Sequence, residues 1–268
     1  MYKGVTFVKK VLAIAGTDCT GGAGIQADIK TITVHKMYAM SVITAVVAQN
    51  TTGVYDIEEI TPKSIEKQIE CVFEDIRPDA VKIGMVSSSK IIEVIAYMLK
   101  KYNANNIVVD PVMVSTSGNK LLCDEAMDAL KEKLIPIGDI ITPNIPEAQE
   151  LCGFSIKSEE EMIKAAINIS KNIKGAVLIK GGHFNDRADD LLYKNNEPIW
   201  YRAERINTQN THGTGCTLSS AIACGLAQNG DIELSVKNAK EYVRGAMLTG
   251  LNLGKGRGPL EHTYKINI

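Results

Sequence analysis

The chain has 268 residues, of which 45% are hydrophobic and 23% charged, and its formal net charge is −1. A charge so close to zero argues against a nucleic-acid surface or a membrane-binding surface, and the apolar run at Val42–Ala48 is far too short to span a bilayer. The length suits a single α/β domain over residues 1–268. No apolar signal-peptide segment follows the basic N-terminus, which predicts a cytoplasmic protein. The six cysteines show neither a CxxC pair nor zinc-ligand spacing.

Apolar runs and helical periodicities alternate from the N-terminus onward. The first half predicts, in order, a strand at Val11–Ala15, a helix at Ile25–His35, strands at Val42–Ala48 and Val54–Ile60, a helix beginning at Thr61–Pro62, a strand at Ala80–Ile83, a helix at Ser88–Lys101 and a strand at Ile107–Val109. The second half predicts a helix at Asp124–Leu134, a strand at Asp139–Ile141, helices at Pro146–Cys152 and Ser158–Lys171, a strand at Ala176–Ile179, an antiparallel hairpin of Asp190–Tyr193 with Ile199–Tyr201, and a last helix at Ile232–Leu253. This alternation predicts a mainly parallel sheet with helices on both faces. The polar segment Ser115–Asn119 predicts a mobile loop.

A glycine turn opens a further helix between Asn210 and Leu226. Gly213 and Gly215 flank Thr214, and apolar residues follow at helical spacing. A helix that starts this way leaves backbone N–H groups unpaired, and its dipole adds partial positive charge there. The stretch therefore predicts an anion site with Cys216 in its first turn.

Polar side chains stand at or near the ends of several predicted strands. They are Asp18, Gln49, Asp110, Asn144, Glu147 and Lys180. In an open parallel sheet, ligands bind beyond the carboxyl ends of the strands. The set contains acids that suit Mg²⁺, a lysine that suits phosphate, and amides that can read a ligand.

Two nucleotide-binding motifs are incomplete in this sequence. Gly22–Ala27 fits the G-x-G-x-x-A dinucleotide pattern after a strand, but Gln49 stands where that pattern needs a ribose-binding acid. The segment Gly16–Gly21 begins like a Walker A loop and lacks its Lys-Ser/Thr pair. A dinucleotide site is therefore disfavoured and a P-loop is excluded.

Nine motifs in collinear order resemble the hydroxymethylpyrimidine/phosphomethylpyrimidine kinases of thiamine biosynthesis. They are Ile14–Asp18, Gly21–Asp28, Ser41–Ala45, Ala48–Thr51, Lys82–Met85, Asp110–Met113, Thr142–Asn144, Lys180–His183 and Asn210–Cys216. The resemblance runs from about Val11 to Pro259. It implies the ribokinase-like fold, a doubly wound sheet with the active site along one edge, and a homodimer with ATP and Mg²⁺ as cofactors.

The resemblance also implies a role for individual residues. For the substrate, it assigns hydrogen bonds with the pyrimidine to Gln49, ring packing to Met85, and further contacts to Gly16, Asp28 and Val112. For the nucleotide, it assigns contacts to Lys180, Asn144, Thr211, Gly213, Thr214, Gly215 and Val243. For the metal, it assigns Asp110 and Glu147, and for catalysis it assigns Cys216, Gly213, Gly215 and Lys180.

Cys216 occupies the position at which most ribokinase-like enzymes place an aspartate base. A helix N-terminus lowers a thiol pKa from ~8.5 towards neutrality, so we expect an accessible thiolate. In the second phosphorylation the acceptor is itself a phosphate monoester. An aspartate would repel that acceptor, whereas a thiol can stay neutral. This difference is our hypothesis for the presence of cysteine.

The favoured interpretation is a kinase that phosphorylates 4-amino-5-hydroxymethyl-2-methylpyrimidine and then its monophosphate. The alternative is a pyridoxal kinase or a dual-specificity enzyme. The loop Val114–Gly118 lacks the cysteine that relatives specialised for pyridoxal carry there, and this favours the pyrimidine. A nicotinamide dehydrogenase is opposed by the missing ribose acid. A non-catalytic binding protein is opposed by the acids and the lysine beside the anion turn. Neither nucleic acid nor a membrane is an expected partner.

Overall fold

Most strands of the structure coincide with or overlap the predicted apolar runs. The computed structural model describes residues 8–113, 122–181 and 187–266. Its strands are β1 (Lys10–Ala15), β2 (Tyr38–Ile43), β3 (Ala45–Asn50), β4 (Gly53–Glu59), β5 (Ala80–Ile83), β6 (Ile107–Val109), β7 (Ile140–Ile141), β8 (Ala176–Ile179), β9 (Asp190–Lys194) and β10 (Glu197–Tyr201). Its helices are α1 (Gly24–Val34), α2 (Pro62–Asp75), α3 (Ser89–Lys101), α4 (Asp124–Ala129), α5 (Ile145–Cys152), α6 (Glu159–Ser170), α7 (Thr214–Asn229) and α8 (Ile232–Thr249).

Eight of these strands form one sheet in the order β10-β9-β8-β7-β6-β5-β1-β2. The pairs from β2 across to β8 are parallel, whereas β9 pairs antiparallel with both β8 and β10. The predicted edge hairpin is therefore confirmed. Because parallel strands end at a common edge, the residues that follow β1, β5, β6, β7 and β8 are brought together there.

The sheet is buried between two helical layers. Along β1, the side chains of Leu12 and Ile14 enter one apolar cluster, and those of Val11 and Ala13 enter the other. Helices α2 to α6 supply the first cluster, and α1, α7 and α8 supply the second. This arrangement confirms the expected doubly wound α/β fold. Among the described residues, no helix combines the length and apolarity that a bilayer crossing requires.

The prediction of one buried strand at Val42–Ala48 is wrong. The run is divided at Thr44, whose backbone N–H bonds the Ala15 carbonyl and whose hydroxyl bonds the Met85 carbonyl. After Thr44 the chain leaves the main sheet, and β3 pairs antiparallel with β4 in a separate two-stranded sheet. Val46 is 51% exposed there. The continuous apolar run concealed this change of sheet.

Two predicted helices are also shorter than expected. The helix predicted to Leu134 is α-helical only to Ala129, after which the backbone continues as a π-helix over Leu130–Leu134 and a 3₁₀ turn over Ile135–Ile137. The last helix ends at Thr249, where Gly250 takes a positive φ of 49°. The predicted loop at Ser115–Asn119 lies outside the described residues.

Candidate active site

The N-terminus of α7 packs directly against the loop after β1. Gly213, which precedes the helix, has a φ of 84°, and a Cβ atom there would lie 1.9 Å from the carbonyl oxygen of Gly22. Only glycine fits both the conformation and the contact. A Cβ atom at Gly215 would lie 3.4 Å from Oδ2 of Asp110 and 3.5 Å from Nζ of Lys180. The first turn of the helix therefore faces a pair of opposite charges.

Asp18 holds the loop after β1 in place and joins it to the glycine turn. Its carboxylate accepts hydrogen bonds from the backbone N–H groups of Thr20, Gly22 and Ala23, at 2.9, 3.0 and 2.8 Å, and from Nε2 of His212 at 2.7 Å. Burial opposes ionisation, but these bonds outweigh it and lower the pKa of Asp18 to about 2. Asp18 is therefore an ionised clamp between two loops that are distant in sequence.

Lys180 and Asp110 form an ion pair at the carboxyl ends of β8 and β6. Nζ of Lys180 lies 2.9 Å from Oδ1 of Asp110, and Thr142 donates to the same oxygen at 3.0 Å. Ser219 donates to Oδ2 at 3.3 Å. Burial opposes the Asp110 charge, but the positive charges of Lys180 and Lys82 outweigh it and lower the pKa of Asp110. The lysine side chain keeps 16% of its surface exposed.

Glu147 lies at the start of α5 in a capping box with Asn144. The Asn144 side chain accepts from the Glu147 N–H at 2.9 Å, and Oε2 of Glu147 accepts from the Asn144 N–H at 2.8 Å. Burial raises the pKa of Glu147 to about 7. The positive charge of Lys180 lowers this pKa, and the negative charge of Asp110 raises it. Asn144 thus has a structural function in this arrangement. Its contact with a nucleotide stays a prediction.

Asp110 and Glu147 fit a magnesium site better than a transition-metal site. Within the described residues, no group of three or more His, Cys, Asp or Glu side chains is arranged to hold a metal ion. Mg²⁺ needs only one or two carboxylates, because water and substrate phosphates complete its octahedron. Two buried carboxylates that influence each other's ionisation meet that requirement.

The Cys216 thiol is less acidic than its helix position predicts. Burial raises its pKa to about 11, although the charge of Lys82 and a hydrogen bond from the Gly24 backbone N–H act in the opposite direction. The carboxylates of Asp28 and Asp110 raise the pKa further. Burial therefore favours the protonated thiol over the expected thiolate.

Lys82 was missed as a site residue by sequence reasoning. Its Nζ lies 2.8 Å from both carboxylate oxygens of Asp28, and both side chains are 0% exposed. A lysine within the otherwise apolar strand Ala80–Ile83 was the available signal. Asp28 is thus engaged beneath the site, and its predicted contact with a substrate stays a prediction.

Three of the residues predicted to bind the substrate, Gly16, Met85 and Gln49, lie in or against the loop after β1. A Cβ atom at Gly16 would lie 3.3 Å from Sδ of Met85, so these two residues are neighbours. Nε2 of Gln49 donates to the Thr17 carbonyl at 3.4 Å. Val112, whose N–H bonds the Asp110 carbonyl at 2.8 Å, is half-buried beside the ion pair. Their contacts with a substrate stay predictions.

The remaining residues predicted to bind the nucleotide divide between the glycine turn and the core. Thr214 donates its hydroxyl to the Thr211 carbonyl at 3.1 Å, which places both residues in the turn. Val243 is 9% exposed and belongs to the apolar cluster under α8. All three contacts with a nucleotide stay predictions, and Gly182 and His183 of the Lys180–His183 motif lie outside the described residues.

The chain is similar to known kinases over nearly its whole length. Residues 18–261 match the family described as phosphomethylpyrimidine kinase. The hydroxymethylpyrimidine/phosphomethylpyrimidine kinase of Streptomyces coelicolor is 43% identical over 96% of this chain and 95% of that protein. A crystal structure of phosphomethylpyrimidine kinase from Clostridium difficile 630 is 48% identical, with a TM-score of 0.80 over 88% of this chain and 98% of that chain. The ADP complex of Bacillus subtilis pyridoxal kinase is 36% identical, with a TM-score of 0.91 over 97% of this chain and 100% of that chain. The chain therefore belongs to the phosphomethylpyrimidine kinase family.

Proposed function

We propose that this protein transfers the γ-phosphoryl group of ATP to hydroxymethylpyrimidine and then to its monophosphate. The observation that carries the proposal is the Lys180–Asp110 ion pair, which faces the first turn of α7 at Gly215. It brings a cation, a carboxylate and the positive end of a helix to one point at the carboxyl edge of the sheet. Phosphoryl transfer depends mainly on such positioning and charge stabilisation.

Asp110 and Glu147 would hold Mg²⁺ with the ATP phosphates. The ion would supply positive charge that neutralises the phosphate oxygens during transfer. Lys180 would contact the same phosphates, because its ammonium group is paired with Asp110 and lies beside Gly215 in the first turn of α7. Thr142 and Ser219 keep the Asp110 carboxylate oriented through their hydroxyl hydrogen bonds.

The glycine turn would stabilise the phosphoryl group as it moves. Backbone N–H groups at the start of α7 point out of the helix and have no intrahelical partner. Donors of this kind are worth about 2.7–4 kcal/mol each in transition states that develop oxyanion charge. Gly215 would let a phosphate approach the backbone beside Lys180, since it carries no side chain, whereas Gly213 lets the turn pack against Gly22.

Cys216 would lie beside the acceptor oxygen as a neutral thiol. Because its pKa is raised to about 11, it enters the reaction as a hydrogen-bonding group and not as a standing thiolate. Phosphoryl transfer makes small demands on a base, so a weak partner suffices. A neutral group also accepts a phosphorylated acceptor without charge repulsion.

Gln49, Met85 and Gly16 would bind the pyrimidine. An amide side chain can both donate to a ring nitrogen and accept from an amino group. The only hydrogen bond described for the Gln49 side-chain amide is the long one to the Thr17 carbonyl, so a ligand could displace it. Met85 offers a soft apolar surface that suits an aromatic ring.

Pyridoxal kinase activity is the second candidate. The specific observation in its favour is the TM-score of 0.91 with Bacillus subtilis pyridoxal kinase, against 0.80 with the Clostridium difficile phosphomethylpyrimidine kinase. The segment that argued for the pyrimidine, Val114–Gly118, lies outside the described residues. A dual-specificity enzyme would combine both activities in one site.

Release of ADP in the presence of MgATP tests the kinase proposal. We expect hydroxymethylpyrimidine to stimulate ADP release, and we expect the variant Lys180→Met to lose that stimulation by about 100-fold or more. The variant Lys194→Met is the control, because Lys194 pairs with Glu233 at the surface. If no acceptor raised ADP release in the unmodified protein, the kinase proposal would fail.

We also propose a homodimer, on the basis of the resemblance to dimeric vitamin kinases. Sedimentation equilibrium at micromolar concentration gives the test directly. A mass twice that of the 29.1 kDa chain supports the proposal, and a monomer at all concentrations contradicts it.

A further inference from the structure

Two parallel links connect helix α1 to the first turns of helix α7. Gly24 is the first residue of α1, and its backbone N–H is close enough to Cys216 to lower the pKa of that thiol. Four residues later, Asp28 accepts a hydrogen bond of 2.8 Å from the hydroxyl of Ser220, which lies four residues after Cys216. Residues four apart lie on one face of a helix, so the two links form successive rungs between the helices.

Lys82 joins these rungs to the main sheet. It is the charged residue of strand β5, whose other members are Ala80, Val81 and Ile83. Its ammonium group contacts both oxygens of Asp28, and a Cβ atom at the neighbouring Gly84 would lie only 2.6 Å from Nζ. The ammonium group therefore lies against the backbone that leads into Met85.

A buried ion pair at this position contributes less to stability than apolar side chains of similar volume would. Removing two charges from water costs free energy that their mutual attraction barely recovers, and apolar residues of similar volume often stabilise a core as well. Because Lys82 and Asp28 are both 0% exposed, this cost applies in full. The pair is therefore better explained by what it holds than by stability.

We propose that Lys82 and Asp28 are a positioning pair, which fixes the first turns of α7 and holds the sulfur of Cys216 at the acceptor side of the site. Asp28 anchors the helix through Ser220, and Lys82 anchors Asp28 to the strand that precedes Met85. Both side chains of the pair are 0% exposed, so the proposed role is an indirect one. Its value for catalysis rests on the proposed kinase function, whereas its effect on the Cys216 sulfur does not.

Four charged groups influence Cys216, and they come from four elements. Lys82 on β5 favours the thiolate, whereas Asp28 on α1 and Asp110 after β6 oppose it. Lys180 after β8 is the fourth group, since it and the thiolate influence each other. Neutralising Lys82 and neutralising Asp28 must therefore move the ionisation of Cys216 in opposite directions. If the two substitutions acted only by loosening the fold, both midpoints would instead move in the same direction.

Alkylation of Cys216 by iodoacetamide as a function of pH, measured by mass spectrometry of the modified peptide, tests the proposal. We expect Lys82→Met to raise the pH midpoint of alkylation by about one unit or more, and Asp28→Asn to lower it by a similar amount. The double variant Asp28→Asn/Lys82→Met should return the midpoint towards that of the unmodified protein. Midpoints that shift the same way in both single variants, or in neither, would overturn the proposal.

Two controls separate positioning from unfolding. Cys224 lies on the same helix and is 0% exposed, so its alkylation reports opening of the fold. Lys240→Met removes a lysine from a partly buried ion pair, with Asp190, and should leave the Cys216 midpoint unchanged. If Cys224 becomes alkylated in the Lys82→Met variant, that variant has opened the fold, and the other two variants decide the question. A Cys216 midpoint that is lowered in Asp28→Asn and returns towards the unmodified value in the double variant supports the proposal. Any other result overturns it.

Kinase assays on the same variants test the link to catalysis. With either acceptor, we expect Lys82→Met to lower kcat about tenfold or more and to leave KM for ATP unchanged. A change confined to KM for ATP would contradict a role at the acceptor side. An unmodified protein without kinase activity would refute the proposed function alone, because the alkylation midpoints do not depend on turnover.

Discussion

Oδ2 of Asp18 lies 2.7 Å from Nε2 of His212, and this contact joins the loop after β1 to the glycine turn before α7. The two residues are 194 positions apart in the chain. The same carboxylate also accepts hydrogen bonds from the backbone N–H groups of Gly22 and Ala23, so it holds both the loop and the turn in place. The loop conformation and the turn conformation therefore depend on each other.

Replacing Asp18 should weaken the fold in a pH-dependent way. Its pKa is about 2 in the folded protein against an ordinary value of 3.8, so ionised Asp18 stabilises the fold by about 2 kcal/mol at pH 7. A depressed carboxyl pKa contributes this stability above about pH 4 and loses it as pH falls towards 2. Urea unfolding of Asp18→Asn and the unmodified protein should therefore show a difference that shrinks below pH 4.

Asp189→Asn is the matched control for that experiment. Its pKa is also lowered to about 2, with burial opposed by hydrogen bonds from Arg187 and Arg202 on the protein surface. This variant should also lose stability relative to the unmodified protein by an amount that shrinks below about pH 4, and it should keep kinase activity. Asp18→Asn should lose activity as well. Equal activities in the two variants would contradict the role of Asp18 as a clamp of the site.

Gly213 and Gly230 provide a test of the glycine turn within one helix. Both flank α7 with positive φ, at 84° and 71°, so alanine costs each about 1–2 kcal/mol of backbone strain. Only Gly213 meets another group, because a Cβ atom there would strike the Gly22 carbonyl, whereas at Gly230 nothing lies within 4 Å. We expect Gly213→Ala to lower kcat by about 100-fold or more. Gly230→Ala should keep kcat, although backbone strain should lower its free energy of unfolding by a similar amount. An equal kcat in both variants would show that the turn has no role in the mechanism.

Cys216→Asp should harm the second phosphorylation more than the first. The unmodified thiol is neutral, because burial raises its pKa to about 11, whereas an added carboxylate would face the phosphate of the second acceptor. Two like charges about 4 Å apart repel by about 4 kcal/mol at an effective dielectric constant of 20. Steady-state rates with the two acceptors should therefore diverge by about tenfold or more.

An equal loss of rate with both acceptors would contradict this explanation of the cysteine. Cys216→Ala serves as the reference, because it removes the sulfur without adding charge. If that variant kept both rates unchanged, Cys216 would be a packing residue only.

Gln49→Leu should weaken acceptor binding selectively. The substitution keeps the approximate volume and removes both hydrogen-bonding groups, which leaves polar atoms of a bound pyrimidine unpaired at a cost of about 1–3 kcal/mol. We expect kcat/KM for the pyrimidine to fall about tenfold to 100-fold while KM for ATP stays the same. A change in KM for ATP alone would place Gln49 on the nucleotide side instead.

The main sheet was predictable because its strands are short apolar runs that end in polar or glycine residues. β5 and β8 were predicted with the bounds that the structure has. The separate sheet of β3 and β4 was not predictable from Val42–Ala48, because the break at Thr44 depends on hydrogen bonds with Ala15 and Met85, which are distant in sequence.

The meeting of Asp110 with Lys180 was predictable from the sequence, whereas the ionisation of Cys216 was not. Asp110 follows β6 and Lys180 follows β8, two parallel strands with only β7 between them, so both residues lie at the same edge of the sheet. The acidity of Cys216 was misjudged because helix position is a local property, whereas burial and the charges of Lys82 and Asp28 arise only from the packing. Lys82 was visible as a charge in an apolar strand, but its partner on α1 was not.

Identification of the phosphorylated products tests the central claim most directly. The protein should be incubated with MgATP and, separately, with hydroxymethylpyrimidine, its monophosphate, pyridoxal and pyridoxine, and the products measured by mass spectrometry. We predict a monophosphate and then a diphosphate from the pyrimidine, with kcat/KM for both steps above that for pyridoxal. Phosphorylation of pyridoxal without any pyrimidine diphosphate would contradict the account.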